Sequence, residues 1–211
     1  MRMLRLLLPV LLIAAVLCPA QEPVPLPKPQ MEGGMPLMQA LKARQSGREF
    51  TPEKLSPQAL SNLLWAAFGV NRPDSGKRTA PSASNRLEID IYVTTADGAY
   101  VFDAKSHSLQ VVTKEDLRGQ TGKQPFVATA PVNLVYVADF AKMGKGTDEN
   151  KVFYSAADTG FIAQNVYLFC ASEGLATVVR GMIDREALTK ALKLRPEQRA
   201  ILAQTVGYTK K

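Results

Sequence analysis

An α+β fold is predicted by three features of the chain. Strand and helix signals alternate irregularly, in the order helix, helix, strand, strand, short helix, strand, helix, strand, helix, strand. Hairpin and helical connections are therefore mixed. Residues 88–103 read as a hairpin: EIDIYVT alternates apolar and polar residues, Asp97-Gly98 turns, and AYVFD returns. The apolar run VNLVYVA (132–138) and the long helical pattern 151–173 then supply a central strand and a buried helix.

Composition narrows the class further. Hydrophobic residues make up 46% of the 211 residues, enough for a core and against a disordered or collagen-like chain. The formal charge of +7 falls by two, to +5, if Arg2 and Arg5 are lost with a leader. Such mild basicity suits phosphate-bearing ligands but lacks the concentrated basic stripe of a nucleic-acid binder. His107 is the single histidine, which excludes His-based zinc clusters and most Ser-His-Asp arrangements. Any catalysis must then avoid histidine chemistry or take its chemistry from a cofactor.

The first twenty residues have the form of a secretory signal. Arg2 and Arg5 form the basic start, Leu6 to Leu17 the apolar run, and Cys18-Pro19-Ala20 a cleavage site. Cleavage after Ala20 leaves a mature periplasmic or secreted chain beginning at Gln21, with Cys170 as its one cysteine. A second reading makes Cys18 a lipidated N-terminus, but Leu17 stands where a small residue is wanted. Residues 21–36 hold five prolines and two glycines, the composition of an extended spacer. The domain is expected over 37–211.

Each further element has a local reason. PLMQALKARQ has helical spacing and ends at Ser46-Gly47. Ser56-Pro57 opens a second helix as N-cap and first residue, and Gly69 stops it. Residues 71–84 read as a loop and 114–118 as a short helix. In the long helix Val152, Phe153, Ala156, Ala157, Phe161, Val166, Leu168 and Phe169 cover most of the circumference, which predicts burial in a core or a subunit interface. LATVVRG (175–181), REALTKALKL and AILAQTVGY (200–208) read as strand, helix and strand. Trp65 and Cys170 are expected in the core and His107 in a solvated turn.

Four segments together resemble the FMN-dependent nitroreductase family, in a small exported form, over about residues 37–208. They are Arg44-Gln45-Ser46-Gly47-Arg48-Glu49-Phe50; Pro81-Ser82-Ala83-Ser84-Asn85; Asp158-Thr159-Gly160 through Gln164-Asn165 and Glu173-Gly174-Leu175 to Arg180-Gly181; and Val206-Gly207-Tyr208. The resemblance implies a mixed, mostly antiparallel sheet flanked by helices. It also implies a homodimer with shared FMN sites. Hydride would pass from NAD(P)H through the flavin to a nitroaromatic, quinone or enone.

The residues suit those roles. Arg44 and Arg48 offer planar forks to a phosphate, with Ser46 a hydroxyl donor and Gln45 between them. Pro81, Ser82 and Ala83 give a stiff, small-residue turn, and Asn85 can donate to and accept from a flavin edge. The resemblance places the second of these elements at the partner subunit's flavin. It also sets the backbone of Val178, Val179, Arg180 and Gly181 against the ring. Leu87 stands where the family often has Gln. Arg180 stands where an acidic residue is common; it would attract an anionic substrate or a cofactor phosphate, or else be a surface arginine. Lys210, with Lys211, is expected to complete the phosphate site; Arg78, just before the Pro81–Asn85 element, is either a further phosphate contact or a solvated loop charge. A non-catalytic flavin- or ligand-binding module on the same fold is the alternative reading.

Overall fold

A computed structural model describes residues 22–210, so the expected signal segment 1–20, Gln21 and Lys211 lie outside the described residues. The elements are β1 (Val24–Pro25), α1 (Leu37–Ala43), α2 (Pro57–Phe68), β2 (Val70–Arg72), β3 (Lys77–Arg78), β4 (Ile89–Thr95), β5 (Gly98–Asp103), β6 (Ser108–Thr113), β7 (Val132–Asp139), α3 (Asp148–Ser172), β8 (Leu175–Arg180), α4 (Arg185–Ala191) and β9 (Gln198–Tyr208). Seven strands form one sheet in the order β1-β6-β5-β4-β7-β9-β8, and every neighbouring pair is antiparallel. The predicted α+β architecture is the one observed.

β7 is central because both of its faces are covered. Leu134 and Tyr136 face α2 and α3, packing with Leu63, Leu64, Ile162, Val166 and Cys170. Val135 and Val137 face α4, packing with Leu188, Leu192 and Ala203. A strand buried on both faces has no reason to alternate, which is why its sequence is a continuous apolar run.

Caps fix the helices. Ser56 Oγ accepts from Ala59 N–H at the start of α2, Thr147 Oγ1 from Asn150 N–H at α3, and Asp184 from Ala187 N–H at α4. Gly69 does end α2, for a steric reason: a Cβ there would lie 2.4 Å from Cδ1 of Trp65. Trp65 itself is only partly buried, with its indole N–H donating to the Val70 carbonyl.

Several expectations need correction. Residues 108–113, not assigned from sequence, form strand β6, and the loop 71–84 contains the small β2–β3 hairpin. The short helix expected at 114–118 is replaced by 3-10 turns at Arg118–Thr121 and Pro125–Ala128. α3 is not buried all round: Val152, Phe153 and Phe161 are 51%, 66% and 49% exposed. His107 is not in a free turn. Its Nε2 lies 2.7 Å from Ser61 Oγ, and its ring meets Phe102 edge-on.

The proline-rich segment is docked and is not a free spacer. Val24–Pro25 pairs with β6, and Leu26 packs on the core. Ser61 Oγ donates to the Pro27 carbonyl, Gln58 to the Lys28 carbonyl, and Gln30 N–H donates to Asn62. Proline suits this edge position because a sheet edge does not need every N–H. A chain beginning at Glu32 is therefore expected to lose about 1–3 kcal/mol, mostly the burial of Leu26. Thermal unfolding should show a Tm lower by about 3–10 °C at this chain size; an unchanged Tm is the behaviour of a free spacer.

Candidate functional site

The site is built on the open edge of β8. Among the described residues β9 is its only strand neighbour, so one row of its peptide groups has no strand there to pair with. The loop after α1 takes part of that row: Gly47 N–H donates to the Thr177 carbonyl at 2.9 Å. Tyr167, on α3, takes another part, its hydroxyl accepting from Val179 N–H at 3.0 Å and lying 2.8 Å from Ser46 Oγ. The Arg44 guanidinium lies over the Tyr167 ring, 5.3 Å from its centroid. Gly47 allows this approach, since its Cβ would be 3.1 Å from that of Ala176.

These contacts bring the Arg44–Arg48 loop against β8, with Gly47 at Thr177 and Ser46 linked to Val179 through Tyr167. Gln45, Ser46, Gly47, Arg48, Glu49, Leu175, Ala176 and Thr209 line a cavity of about 360 Å³, within the range of small-ligand sites. The end of the chain returns to the same place. Phe50 bridges Thr209, Thr51 N–H donates to the Tyr208 carbonyl, and Lys210 N–H to the Glu49 carbonyl. The backbone of Lys210 is thus beside the Arg48 loop. Among the described residues neither Arg44 nor Arg48 is in an ion pair. Arg48, Ser46 and a snug glycine turn line the cavity with groups that fit a phosphate, while Arg44 is held beside it on the Tyr167 ring.

The Pro81–Asn85 element lies elsewhere on the subunit. It is fixed to α3 by Ala83 N–H donating to Asp158 Oδ2 at 2.8 Å. Asp158 and Tyr167 are nine residues apart, about 13.5 Å of helix rise. Ser84, Asn85 and Leu87 all have positive φ, at 54°, 52° and 50°. The turn is held in this costly shape by Asp158 and by Leu87 N–H donating to Ser82 Oγ. Ser84 and Asn85 are exposed. Arg78 does not join the phosphate loop; it donates to the Phe68 carbonyl and lies over the Phe68 ring.

Arg180 requires the largest correction. Its side chain is neither at the surface nor free to meet a substrate anion: it is 4% exposed, held by Thr121, Asn133 and Thr205. Only its backbone remains available to the site. Gly181 is exposed, yet a Cβ there would meet only Leu202, at 3.7 Å. Within one subunit nothing requires glycine at that position. Tyr167 was not identified from sequence as functional. Asp158 stands in the third of the segments that carry the family resemblance, but was given no role there.

The chain matches the model of the nitroreductase family over residues 41–208. It belongs to the nitroreductase family. The family in general comprises flavin-dependent oxidoreductases. A Methanocaldococcus jannaschii protein named as a nitroreductase is 31% identical over 169 residues, covering 75% of this chain and 85% of that one. A Ralstonia eutropha JMP134 crystal structure described as a nitroreductase is 42% identical, covers 90% of this chain and 91% of its own, and superposes with a TM-score of 0.86. A chain of the Escherichia coli microcin synthetase complex, 21% identical, covers 80% of this chain and 70% of its own with a TM-score of 0.71. That last likeness shows the fold alone.

Beneath the Pro81–Asn85 turn two buried carboxyls meet, Glu88 on the approach to β4 and Asp158 on α3. Neither Glu88 oxygen has a hydrogen-bond partner among the described residues. Burial, with the neighbouring Asp158 acting in the same direction, raises Glu88 from 4.5 to about 7, against its own backbone N–H and Arg86. The folded state therefore holds this proton more tightly than the unfolded chain. The associated stability is complete below about pH 4.5 and is lost as pH rises through about 7. Denaturant titrations from pH 5 to 8 should show this fall. Glu88→Gln, which cannot titrate, should flatten it; an unchanged slope places the titration elsewhere.

Proposed function

We propose that this nitroreductase-family chain is an FMN-dependent oxidoreductase that takes hydride from NAD(P)H and delivers it to a nitroaromatic, quinone or enone acceptor. The observation that carries the reading is the joining of the Arg44–Arg48 loop to the open edge of β8 through Gly47 and Tyr167. The flavin, when bound, supplies the hydride chemistry. The chain's own residues bind and orient it. Arg44, Ser46 and Arg48 hold the phosphate, with Lys210 adding charge beside them. Tyr167 keeps Ser46 and Val179 in fixed relation, so phosphate and ring positions are set by one rigid unit. Neither step needs a side-chain acid or base, which agrees with a chain whose one histidine is held against Ser61.

Assembly follows from the same surfaces. Phe153 and Phe161 of α3 and Leu37, Met38 and Leu41 of α1 are exposed apolar residues on two helices that pack together. Exposed apolar area of this kind marks an interface. A second copy covering it would bring its own exposed Asn85 to the site and give Pro81, Ser82 and Ala83 a ring to pack on. The strained turn then has a purpose that the single subunit does not supply.

Arg44→Ala should weaken FMN binding by about 1.5–3 kcal/mol, the scale of a hydrogen bond to a charged group. That corresponds to about 10–150-fold in Kd by titration of flavin fluorescence. Arg44→Lys should restore only part, because an ammonium has no fork. Anaerobic NADH or NADPH should bleach the bound flavin, and a quinone or nitroarene should restore its colour. If FMN binds but no nicotinamide reduces it, the non-catalytic binding module is the better description.

Light scattering should give twice the chain mass at micromolar concentration. Phe153→Lys with Phe161→Glu should produce monomers with weakened FMN binding. A stable wild-type monomer that holds flavin contradicts the shared site.

A further inference from the structure

Arg180 is a buried cation with no counter-charge. Its Nε–H donates to Thr205 Oγ1 at 3.0 Å, Nη1 to the Thr121 carbonyl at 2.6 Å, and Nη2 to Asn133 Oδ1 at 3.1 Å and Thr121 Oγ1 at 3.4 Å. All of these acceptors are neutral, and Arg180 is in no ion pair among the described residues. The acceptors are themselves fixed. Thr205 Oγ1 donates to Asn133 Oδ1 at 2.6 Å, and Asn133 Nδ2 donates to the Val127 carbonyl at 2.9 Å. The surrounding loop is shaped to the guanidinium: a Cβ on Gly122 would lie 1.9 Å from Nη1. Gln124, whose Oε1 is buried and unpartnered, borders the same point.

This arrangement has a cost. A buried charge without an opposite charge is expensive, and an apolar side chain of similar volume would be at least as stable. Burial lowers the Arg180 pKa only to about 10, so the group remains charged at neutral pH. The fold thus holds a permanent positive charge on a residue whose main chain stands between Val179 and Gly181. That is the stretch assigned above to the flavin ring.

We propose that Arg180 is an electrostatic element of the flavin site, its buried charge stabilising the negative charge the ring gains on reduction and so raising the flavin's reduction potential. The proposal rests on the flavin reading. The balance is simple. The C–H bond of the reduced nicotinamide breaks, and its hydride, two electrons and a proton, forms an N–H bond on the ring. The donor leaves as oxidised nicotinamide, and the ring gains one negative charge. A cation held in low-dielectric protein by a side chain of that stretch favours that product over the neutral oxidised ring. Its hydrogen bonds are already in place, so it does not reorient during the reaction. Arg44 and Arg48 act differently, because the phosphate they hold carries the same charge before and after reduction.

The test is the midpoint potential of bound FMN, measured by slow dithionite reduction against a reference dye, beside free FMN. Wild-type protein should bind FMN with a potential above that of free FMN. Arg180→Gln should lower it by about 30 mV or more, a tenfold loss of preference for reduced over oxidised flavin. Arg180→Lys should stay near wild type. Far-UV circular dichroism decides whether each variant is folded. A folded Arg180→Gln with the wild-type potential, or Arg180→Lys falling as far as Gln, overturns the proposal. If Arg180→Gln does not fold, the wild-type arm still decides: a bound potential at or below that of free FMN overturns it. Failure of wild-type protein to bind FMN at all contradicts the flavin reading itself, and this inference goes with it.

Discussion

The structure depends on how the open edge of β8 is closed. An edge strand presents peptide groups that need partners, and among the described residues no further strand beyond β8 supplies them. The chain meets that need with Gly47 and with the Tyr167 hydroxyl. Those two bonds force the loop after α1, with its two arginines, against the strand. The same contacts that satisfy a backbone requirement thereby border the cavity lined by Ser46 and Arg48. The Phe50–Thr209 bridge, with Thr51 N–H on the Tyr208 carbonyl and Lys210 N–H on the Glu49 carbonyl, fastens the far end of the same loop to β9.

α3 is the second organising element, because it carries three functions on different faces. Ile162, Val166 and Cys170 pack on the sheet. Asp158 and Tyr167 each tie down one of the two loops implicated in binding. Phe153 and Phe161 are exposed, the face on which the proposed dimer rests. Rigid attachment of both loops to one helix means that their spacing is fixed before any ligand arrives, the preorganisation that binding sites benefit from. Buried charge is distributed with the same economy: carboxyls meet beneath the Pro81–Asn85 turn and a lone guanidinium sits behind β8.

Much of this was legible in the sequence, and the parts that were not have physical reasons. Ser56-Pro57 announced α2, and the unbroken run at 132–138 announced a strand covered on both sides. Arg44, Ser46 and Arg48 suggested a phosphate loop only together with the other segments of the family resemblance, since alone they read as a solvated basic loop. β6 was not legible: SLQVVT is short, and its pairing with β5 is decided by the hairpin. The docking of residues 24–31 was hidden because prolines suggest a spacer wherever the partners are distant; Ser61, Gln58 and Asn62 lie about thirty residues away. Arg180 was misread because burial of a charged side chain depends on Thr121, Asn133 and Thr205, none of which is near it in sequence. Tyr167 escaped notice since an aromatic on an apolar helix looks like core until its hydroxyl is seen to reach a strand edge.

The central claim is that the Arg44–Arg48 loop, fastened to β8, is a flavin phosphate site. Its most direct measurement is a comparison of FMN with riboflavin, which shares the ring and lacks the phosphate, by calorimetric titration of the wild-type protein. The account predicts that FMN binds at one per chain and at least about a hundredfold more tightly, the worth of two charge-assisted contacts at the phosphate. Equal affinity for the two flavins would contradict it.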